Sequence, residues 1–92
     1  MGMFGLCYPT EFGGSDVGYL PYILAVEEVS KVDSSFGIGF SVNTSLYGGS
    51  VMYSSATDEQ KKRFLSPIAS GQAIGSFGLT EATAGSDAAG QQ

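Results

Sequence analysis

Apolar residues recur at steps of three and four between residues 18 and 33, and this spacing predicts an amphipathic helix. Asp16 or Gly18 is expected to start it, and Pro21 is tolerated because it falls in the first turn, where no intrahelical N–H is lost. The predicted apolar stripe consists of Tyr22, Ala25, Val26, Val29 and Val32.

A second helical stretch is predicted from Phe36 to Tyr47, where aromatic and aliphatic residues alternate with small ones. Asp33, Ser34 and Ser35 are candidate N-caps for it. Gly37 and Gly39 each lower helix propensity by roughly 1 kcal/mol relative to Ala, which indicates close backbone packing or ligand approach. Gly48-Gly49 is expected to bend the chain before a short helix over residues 51–53.

The segment Thr57-Asp58-Glu59-Gln60 has the pattern of a capping box, with acidic residues in the first helical turn. The predicted helix runs from Asp58 to Leu65, with Phe64 and Leu65 turned inward. Pro67 and Gly71 are expected to end it.

From Ala73 the period of the pattern changes to two, which predicts a strand over residues 73–80. A loop of small and hydrogen-bonding residues follows over 81–87. The fold class predicted from these elements is mainly α, with one strand that begins a β-structure. The predicted boundary places residues 1–71 in the helical part and residues 72–92 in the β-part.

Charge and composition exclude several classes of function. Among 92 residues, 4 are Lys or Arg and 9 are Asp or Glu, so the net charge of -5 disfavours nucleic-acid and anionic-membrane partners. The chain has no His, which removes imidazole-based nucleophile pairs and His-ligated metal sites; no metal and no catalytic residue is predicted. The single cysteine, Cys7, is expected to serve in packing and fits a reducing compartment.

The low share of charged residues, 14%, indicates that much of the surface meets another chain, another domain or a ligand. Together with 14 glycines, this suggests a piece of a larger enzyme, with a homo-oligomer as the expected state. No secretory peptide or membrane-spanning run is predicted, so a cytoplasmic location is expected, or the mitochondrial matrix in a eukaryote.

The strand end and loop from Phe77 to Asp87 form the strongest candidate site. Gly85-Ser86 can present backbone N–H groups and a hydroxyl to an anion, and Thr80 offers a second hydroxyl. A polar turn between strands explains the same residues, and on the residues alone it is favoured by roughly two to one. Neither a P-loop nor a Rossmann glycine pattern is present.

Other candidate groups have simpler structural explanations. Glu27-Glu28 is expected on a solvated helix face, with Glu27 paired to Lys31 four residues on. The cations of residues 61–63 suit a helix carboxyl end. Tyr47 and Tyr53 are aromatic residues of the kind that more often pack in a core than line a pocket.

Residues 78–90, GLTEATAGSDAAG, nevertheless resemble the first sequence signature of the acyl-CoA dehydrogenases at every specified position. Four upstream segments resemble the same family in the same order: PTEFGGS (9–15), EEVS (27–30), SVNTSLY (41–47) and EQKKRFL (59–65). The third of these is similar to the short-chain, butyryl-type branch. The resemblance covers the whole chain, as the later part of the amino-terminal helical domain and the start of the middle β-domain.

The resemblance implies FAD as cofactor and a short-chain acyl-CoA as substrate, with electrons passed on to an electron-transfer flavoprotein. The family reaction, a step of fatty-acid metabolism, removes the α-proton with a glutamate base and transfers the β-hydride to flavin. The implied cofactor contacts are Phe77, Gly78, Leu79, Thr80, Gly85 and Ser86. The implied substrate contacts are Asn43, Leu46 and Ser86.

The chain departs from the family pattern at one position and lacks one functional group. Ala82 stands where the family usually has Pro, so the loop is expected to be less rigid. No residue of the chain matches the family's catalytic base, and Glu81 belongs to the signature instead; the chain alone is therefore expected to be inactive. One alternative is a non-catalytic module that associates with itself or a partner, and another is a flavin-dependent acyl-CoA oxidase.

Overall fold

A computed structural model describes residues 2–92 as a helical structure with an irregular carboxyl-terminal segment. Its helices are α1 (Tyr19–Val32), α2 (Ser34–Val42), a π-helix (Asn43–Gly48), α3 (Gly49–Met52) and α4 (Asp58–Ala69). Short 3-10 turns lie at Met3–Gly5, Thr10–Phe12 and Ala88–Gly90. No helix within residues 2–92 has both the length and the apolar character needed to cross a lipid bilayer.

The amino-terminal ends of α1 and α2 lie at predicted caps. Gly18 is the N-cap of α1, and the Asp33 carboxylate caps α2 by accepting from the N–H groups of Ser35 at 2.9 Å and Phe36 at 3.3 Å.

Helices α1 and α2 pack closely because a glycine faces a small side chain between them. A Cβ on Gly37 would lie 2.0 Å from Ser30 Oγ, which confirms the close packing predicted there. Gly39 faces open space, with no atom within 4 Å of such a Cβ.

The chain stays helical from α2 through the π-helix to α3, so the bend expected at Gly48-Gly49 was wrong. The physical reason is packing against a distant residue. A Cβ on Gly48 would lie 1.8 Å from the phenol oxygen of Tyr8. This glycine therefore leaves space for the Tyr8 side chain and does not turn the backbone. The Tyr8 hydroxyl donates to the carbonyl of Thr44 within the π-helix.

Helix α4 confirms the predicted capping box and extends beyond the predicted end. Thr57 Oγ1 accepts from the N–H of Gln60 at 3.3 Å, while Gln60 Oε1 accepts from the N–H of Thr57 at 2.8 Å. The helix continues through Pro67 to Ala69, since a proline in the last turn loses only one intrahelical bond. Gly71, with φ of 76°, then ends it, and the N–H of Gln72 donates to the carbonyl of Pro67 at 2.8 Å in a Schellman arrangement.

The core joins the amino-terminal turns to α4. Its central cluster consists of Tyr8, Phe12, Leu65 and Ala69, with Cys7, Val51 and Met52 packed against it. Phe64 is 42% exposed, so its predicted inward orientation was wrong. Neighbouring helical positions point in different directions, and only Leu65 faces this cluster.

Residues 73–80 form neither helix nor strand, which differs from the predicted strand. A strand requires a partner for its N–H and C=O groups, and no part of residues 2–92 supplies one. The segment follows α4 directly, and the N–H of Ala73 still donates to the carbonyl of Pro67 at 3.1 Å. It therefore leaves the helical body as a single irregular chain.

Candidate functional site

Residues 77–86, here called the 77–86 loop, contain all of the predicted cofactor contacts and fold back on themselves. The N–H of Glu81 donates to the carbonyl of Ala84 at 2.8 Å, and the N–H of Ala84 donates to the carbonyl of Glu81 at 3.3 Å. This reciprocal pair closes a two-residue turn. It brings Thr80 beside Gly85, since a Cβ built on Gly85 would lie 3.7 Å from the Thr80 methyl group.

The 77–86 loop presents both polar and apolar groups to its surroundings. Phe77 and Leu79 are 42% and 43% exposed, and the hydroxyl-bearing Thr80 and Ser86 are also exposed. A Cβ on Gly78 would meet nothing within 4 Å, so the backbone there is open to approach. Such a surface can contact a planar ring system along an apolar side and still offer hydrogen bonds at its edge.

The backbone N–H groups at the start of this loop are free within residues 2–92. None of the hydrogen bonds in that range uses the N–H of Phe77, Gly78, Leu79 or Thr80, or the hydroxyls of Thr80 and Ser86. Successive free N–H groups form a site that suits the electronegative atoms of a ligand.

The carboxyl-terminal residues hold the other side of the loop. The side-chain amide of Gln91 donates to the carbonyl of Leu79. The N–H of Gln92 donates to Glu81 Oε2 at 3.1 Å. The Glu81 carboxylate is therefore engaged in a contact within the chain, and its interpretation as part of the sequence signature stays a prediction.

Asn43, a predicted substrate contact, lies buried against the segment that leads into the loop. Its side chain is 1% exposed, and its Oδ1 accepts from the N–H of Gly75 at 2.6 Å. Its Nδ2 is also buried, with no acceptor among the described residues. Leu46, the second predicted contact on the π-helix, is 45% exposed. The proposed contacts of these residues with a substrate stay predictions.

A tyrosine-lined cavity of about 330 Å³ lies between the amino-terminal turns, α1 and the π-helix, and the pattern of the sequence did not indicate it. Its aromatic walls come from Tyr8, Tyr19, Tyr22 and Tyr53. Tyr53 is thus a pocket residue, contrary to its expected place in the core. Because these residues lie far apart in the chain, no local spacing could reveal the cavity.

Three ionisable groups that line this cavity have raised pKa values. A hydrogen bond with Tyr53 raises the pKa of Tyr19 to about 12, and burial adds to the shift. Burial likewise raises the pKa of Tyr8 and of the Cys7 thiol above their ordinary values. Cys7 is therefore a weak nucleophile at neutral pH, consistent with a packing role.

The acidic pair on α1 behaves as a solvated ion-pair network. Lys31 Nζ lies 3.3 Å from Glu27 Oε1 and 2.6 Å from Glu28 Oε1, and all three side chains are more than half exposed. The predicted Glu27–Lys31 pair is confirmed, and Glu28 joins it. Exposed pairs of this kind contribute little to stability and leave no free carboxylate for acid–base chemistry.

Comparison with known proteins supplies the decisive observation for this chain. Residues 1–72 match the family model described as "Acyl-CoA dehydrogenase, N-terminal domain". The chain belongs to the acyl-CoA dehydrogenase family. The predicted boundary between residues 71 and 72 is not tested by this match and stays a prediction.

Individual relatives agree with this membership. A probable acyl-CoA dehydrogenase of Bacillus subtilis is 50% identical over 92 residues, which are 100% of this chain and 24% of that protein. The butyryl-CoA dehydrogenase structure from Megasphaera elsdenii superposes with a TM-score of 0.87 and 41% identity, over 99% of this chain and 24% of that one.

A third match comes from structural work on the electron transferring flavoprotein of Acidaminococcus fermentans and flavin-based electron bifurcation. It has a TM-score of 0.91 and 50% identity, and again covers 99% of this chain and 24% of that one. This acyl-CoA dehydrogenase family chain thus spans about a quarter of the length of the relatives it matches.

Proposed function

We propose that the chain is the part of an FAD-dependent acyl-CoA dehydrogenase that contacts the flavin and one side of the acyl-CoA. The observation that carries this proposal is the arrangement of hydrogen-bond donors in the 77–86 loop. In this loop Thr80 lies beside Gly85-Ser86, and both positions belong to the family signature. Thr80 and Ser86 are exposed, and their hydroxyls donate to no group within residues 2–92. The family membership supplies the class of ligand for these donors.

The residues of the loop fit an FAD molecule. The free N–H groups at Leu79 and Thr80 and the Thr80 hydroxyl suit the polar edge of a flavin, while Phe77 offers an apolar surface. Gly85 and Ser86 suit the diphosphate, because a backbone N–H and a hydroxyl can both donate to an anion. When bound, FAD accepts the hydride of the dehydrogenation. The chain's own share is to bind and orient it.

The proposed substrate is a short-chain acyl-CoA, and the parent enzyme is expected to pass electrons to an electron-transfer flavoprotein. The similarity to a butyryl-CoA dehydrogenase supports the first part, and the similarity to a chain from work on an electron transferring flavoprotein supports the second. Leu46, Asn43 and Ser86 are the proposed wall of the acyl-CoA site. The expected compartment is the cytoplasm, or the mitochondrial matrix in a eukaryote.

The proposal is tested in the full-length enzyme by removing the two loop hydroxyls. The double variant Thr80→Ala, Ser86→Ala is expected to retain less FAD through gel filtration, measured as the ratio of absorbance at 450 and 280 nm. Each lost hydrogen bond weakens binding by about fivefold, so the pair lowers affinity by roughly 10- to 30-fold.

Ser76→Ala with Thr83→Ala is the matched control, since both residues are exposed in the same segment and neither is a proposed cofactor contact. Equal FAD retention in the test variant and the control would refute the assignment of Thr80 and Ser86. Turnover of butyryl-CoA against a long-chain acyl-CoA then tests the substrate class.

A second candidate function is self-association, or binding to a partner, without catalysis. The observation that favours it is the outer surface of α1, where Leu20, Ile23 and Leu24 are 70%, 55% and 51% exposed. Exposed apolar area of this extent favours contact with another surface. Titration with FAD separates the two candidates, because the non-catalytic module predicts a protein that forms an oligomer in sedimentation velocity but never binds FAD.

An acyl-CoA oxidase remains the alternative within the flavin chemistry. The two enzymes differ in their electron acceptor, so production of hydrogen peroxide during turnover in air would identify the oxidase. Slow reoxidation in air with rapid transfer to an electron-transfer flavoprotein identifies the dehydrogenase.

A further inference from the structure

We propose that Asn43 is a positioning residue for the cofactor: its side-chain carbonyl holds the backbone at Gly75 and thereby places the 77–86 loop against the flavin. The inference rests on the proposed function of that loop. It gives Asn43 a role through the protein backbone, in addition to its proposed place in the wall of the acyl-CoA site.

The hydrogen bond between Asn43 and Gly75 is the main polar link from the helices to the loop. It is 2.6 Å long and joins residues 32 positions apart. Within residues 2–92, it is the only hydrogen bond that connects residues 74–80 to any helix. The position of this segment relative to the helical body therefore depends on it.

Burial makes this bond specific. Asn43 is 1% exposed, so water does not compete for its Oδ1, and loss of the side chain would leave the Gly75 N–H without its acceptor. A buried polar group without a partner is costly, so the backbone at Gly75 would shift to find another acceptor.

A second residue of the π-helix restrains the same glycine. A Cβ on Gly75 would lie 2.3 Å from Cγ of Tyr47, which means that the backbone runs directly against the tyrosine ring. The π-helix thus holds Gly75 by one hydrogen bond and one close packing contact. Single π-turns within α-helices are often found at functional sites, and here the turn carries both restraints.

The distance along the chain from this contact to the proposed cofactor site is short. Only Ser76 separates Gly75 from Phe77, the first of the proposed flavin contacts. A displacement at Gly75 therefore reaches Phe77 and Leu79 with little chance of being absorbed. We expect the consequence in the affinity for FAD and in the environment of its ring, even when no acyl-CoA is present.

The experiment compares Asn43→Leu with Thr44→Val in the full-length enzyme. Both residues are 1% exposed, and Thr44 Oγ1 donates to the carbonyl of Phe4 at 3.1 Å, far along the chain from Gly75. Each variant therefore removes one partly buried hydrogen bond at nearly constant volume. Only Asn43→Leu removes the link to the loop.

FAD is titrated into each apoprotein, and the quenching of flavin fluorescence gives the dissociation constant. We expect Asn43→Leu to raise this constant about fivefold and to alter the visible circular dichroism of bound flavin, while Thr44→Val changes neither. Asn43→Asp keeps an acceptor oxygen, because burial favours the neutral carboxyl group, and is expected to stay within about twofold of the wild type. If Asn43→Leu does not fold, Asn43→Ser replaces it, since the serine hydroxyl is too short to reach Gly75.

Three results would overturn the inference: equal effects of Asn43→Leu and Thr44→Val, equal effects of Asn43→Leu and Asn43→Asp, or a change confined to the KM for acyl-CoA with unaltered FAD binding. The last result would restore Asn43 as a wall of the substrate site. A wild-type enzyme that binds no FAD would refute the proposed function instead, so the two failures are distinguishable.

Discussion

Single residues that lack a side chain determine where the irregular carboxyl-terminal segment lies. Gly75 runs against the Tyr47 ring, and Gly48 leaves space for the Tyr8 phenol in the same region of the π-helix. Neither glycine has a positive φ, so both are required for close approach and not for an unusual backbone conformation. A larger residue at position 75 would displace the segment, and a larger residue at position 48 would displace the Tyr8 side chain.

Gly75→Ala is therefore expected to destabilise the apoprotein by about 1–3 kcal/mol, because the new methyl group overlaps the base of the Tyr47 side chain. The change is measured by urea unfolding of the full-length apoprotein. The added variant Tyr47→Ala should recover part of the loss in a double-mutant cycle.

Gly78→Ala is the control for this prediction, since its methyl group would meet no atom within 4 Å. We expect it to change stability by less than about 0.5 kcal/mol. If the two alanine variants behaved alike, the contact between Gly75 and Tyr47 would have no energetic importance.

Among the elements, the start of α4 was predictable and the π-helix was not. The capping box of Thr57 and Gln60 involves groups three residues apart, so local sequence contains all of its information. The π-helix depends on contacts with Tyr8, which lies 36 residues from its acceptor at Thr44. The predicted strand failed for a related reason, since an alternating pattern indicates a strand only where a partner is available.

Thr57→Ala is expected to loosen the first turn of α4 by about 1 kcal/mol, because it removes the acceptor for the Gln60 N–H. Amide hydrogen exchange over residues 58–61 should accelerate by about fivefold. Ser55→Ala, an exposed hydroxyl just before the helix, should leave these rates unchanged. Unchanged exchange in Thr57→Ala would show that the capping box does not stabilise α4.

The same distinction applies to the candidate site. The residues of the 77–86 loop were identified by their resemblance to a family signature, and the structure places Thr80 beside Gly85. The link between Asn43 and Gly75 spans 32 residues, so no local pattern could indicate it. The tyrosine cavity was missed for the same reason, since its walls come from three separate parts of the chain.

At the scale of the whole molecule, the tyrosine cavity makes stability sensitive to alkaline pH. The folded state raises the pKa of Tyr19 from its ordinary value of 10 to about 12, and it raises the pKa of Tyr8 in the same direction. The unfolded chain therefore loses these protons at a lower pH than the folded one. The stabilisation is fully present below about pH 10 and is lost as the pH rises through 12.

We accordingly expect the urea midpoint of the full-length apoprotein to be constant between pH 8 and about 9.5 and to fall steadily above pH 10. Tyr19→Phe should flatten this decline, because phenylalanine cannot ionise. A midpoint that is independent of pH up to 12, or an equal decline in Tyr19→Phe, would contradict this role of the tyrosines.

Hydrogen exchange of the full-length enzyme with and without FAD tests whether the 77–86 loop contacts the cofactor. The N–H groups of residues 77–80 are free within residues 2–92, so cofactor binding should slow their exchange by at least about tenfold. Residues 58–64 of α4 serve as the internal reference and should not change. If FAD protected other parts of the enzyme while residues 77–86 exchanged equally fast in both states, the 77–86 loop would not be a contact of the cofactor.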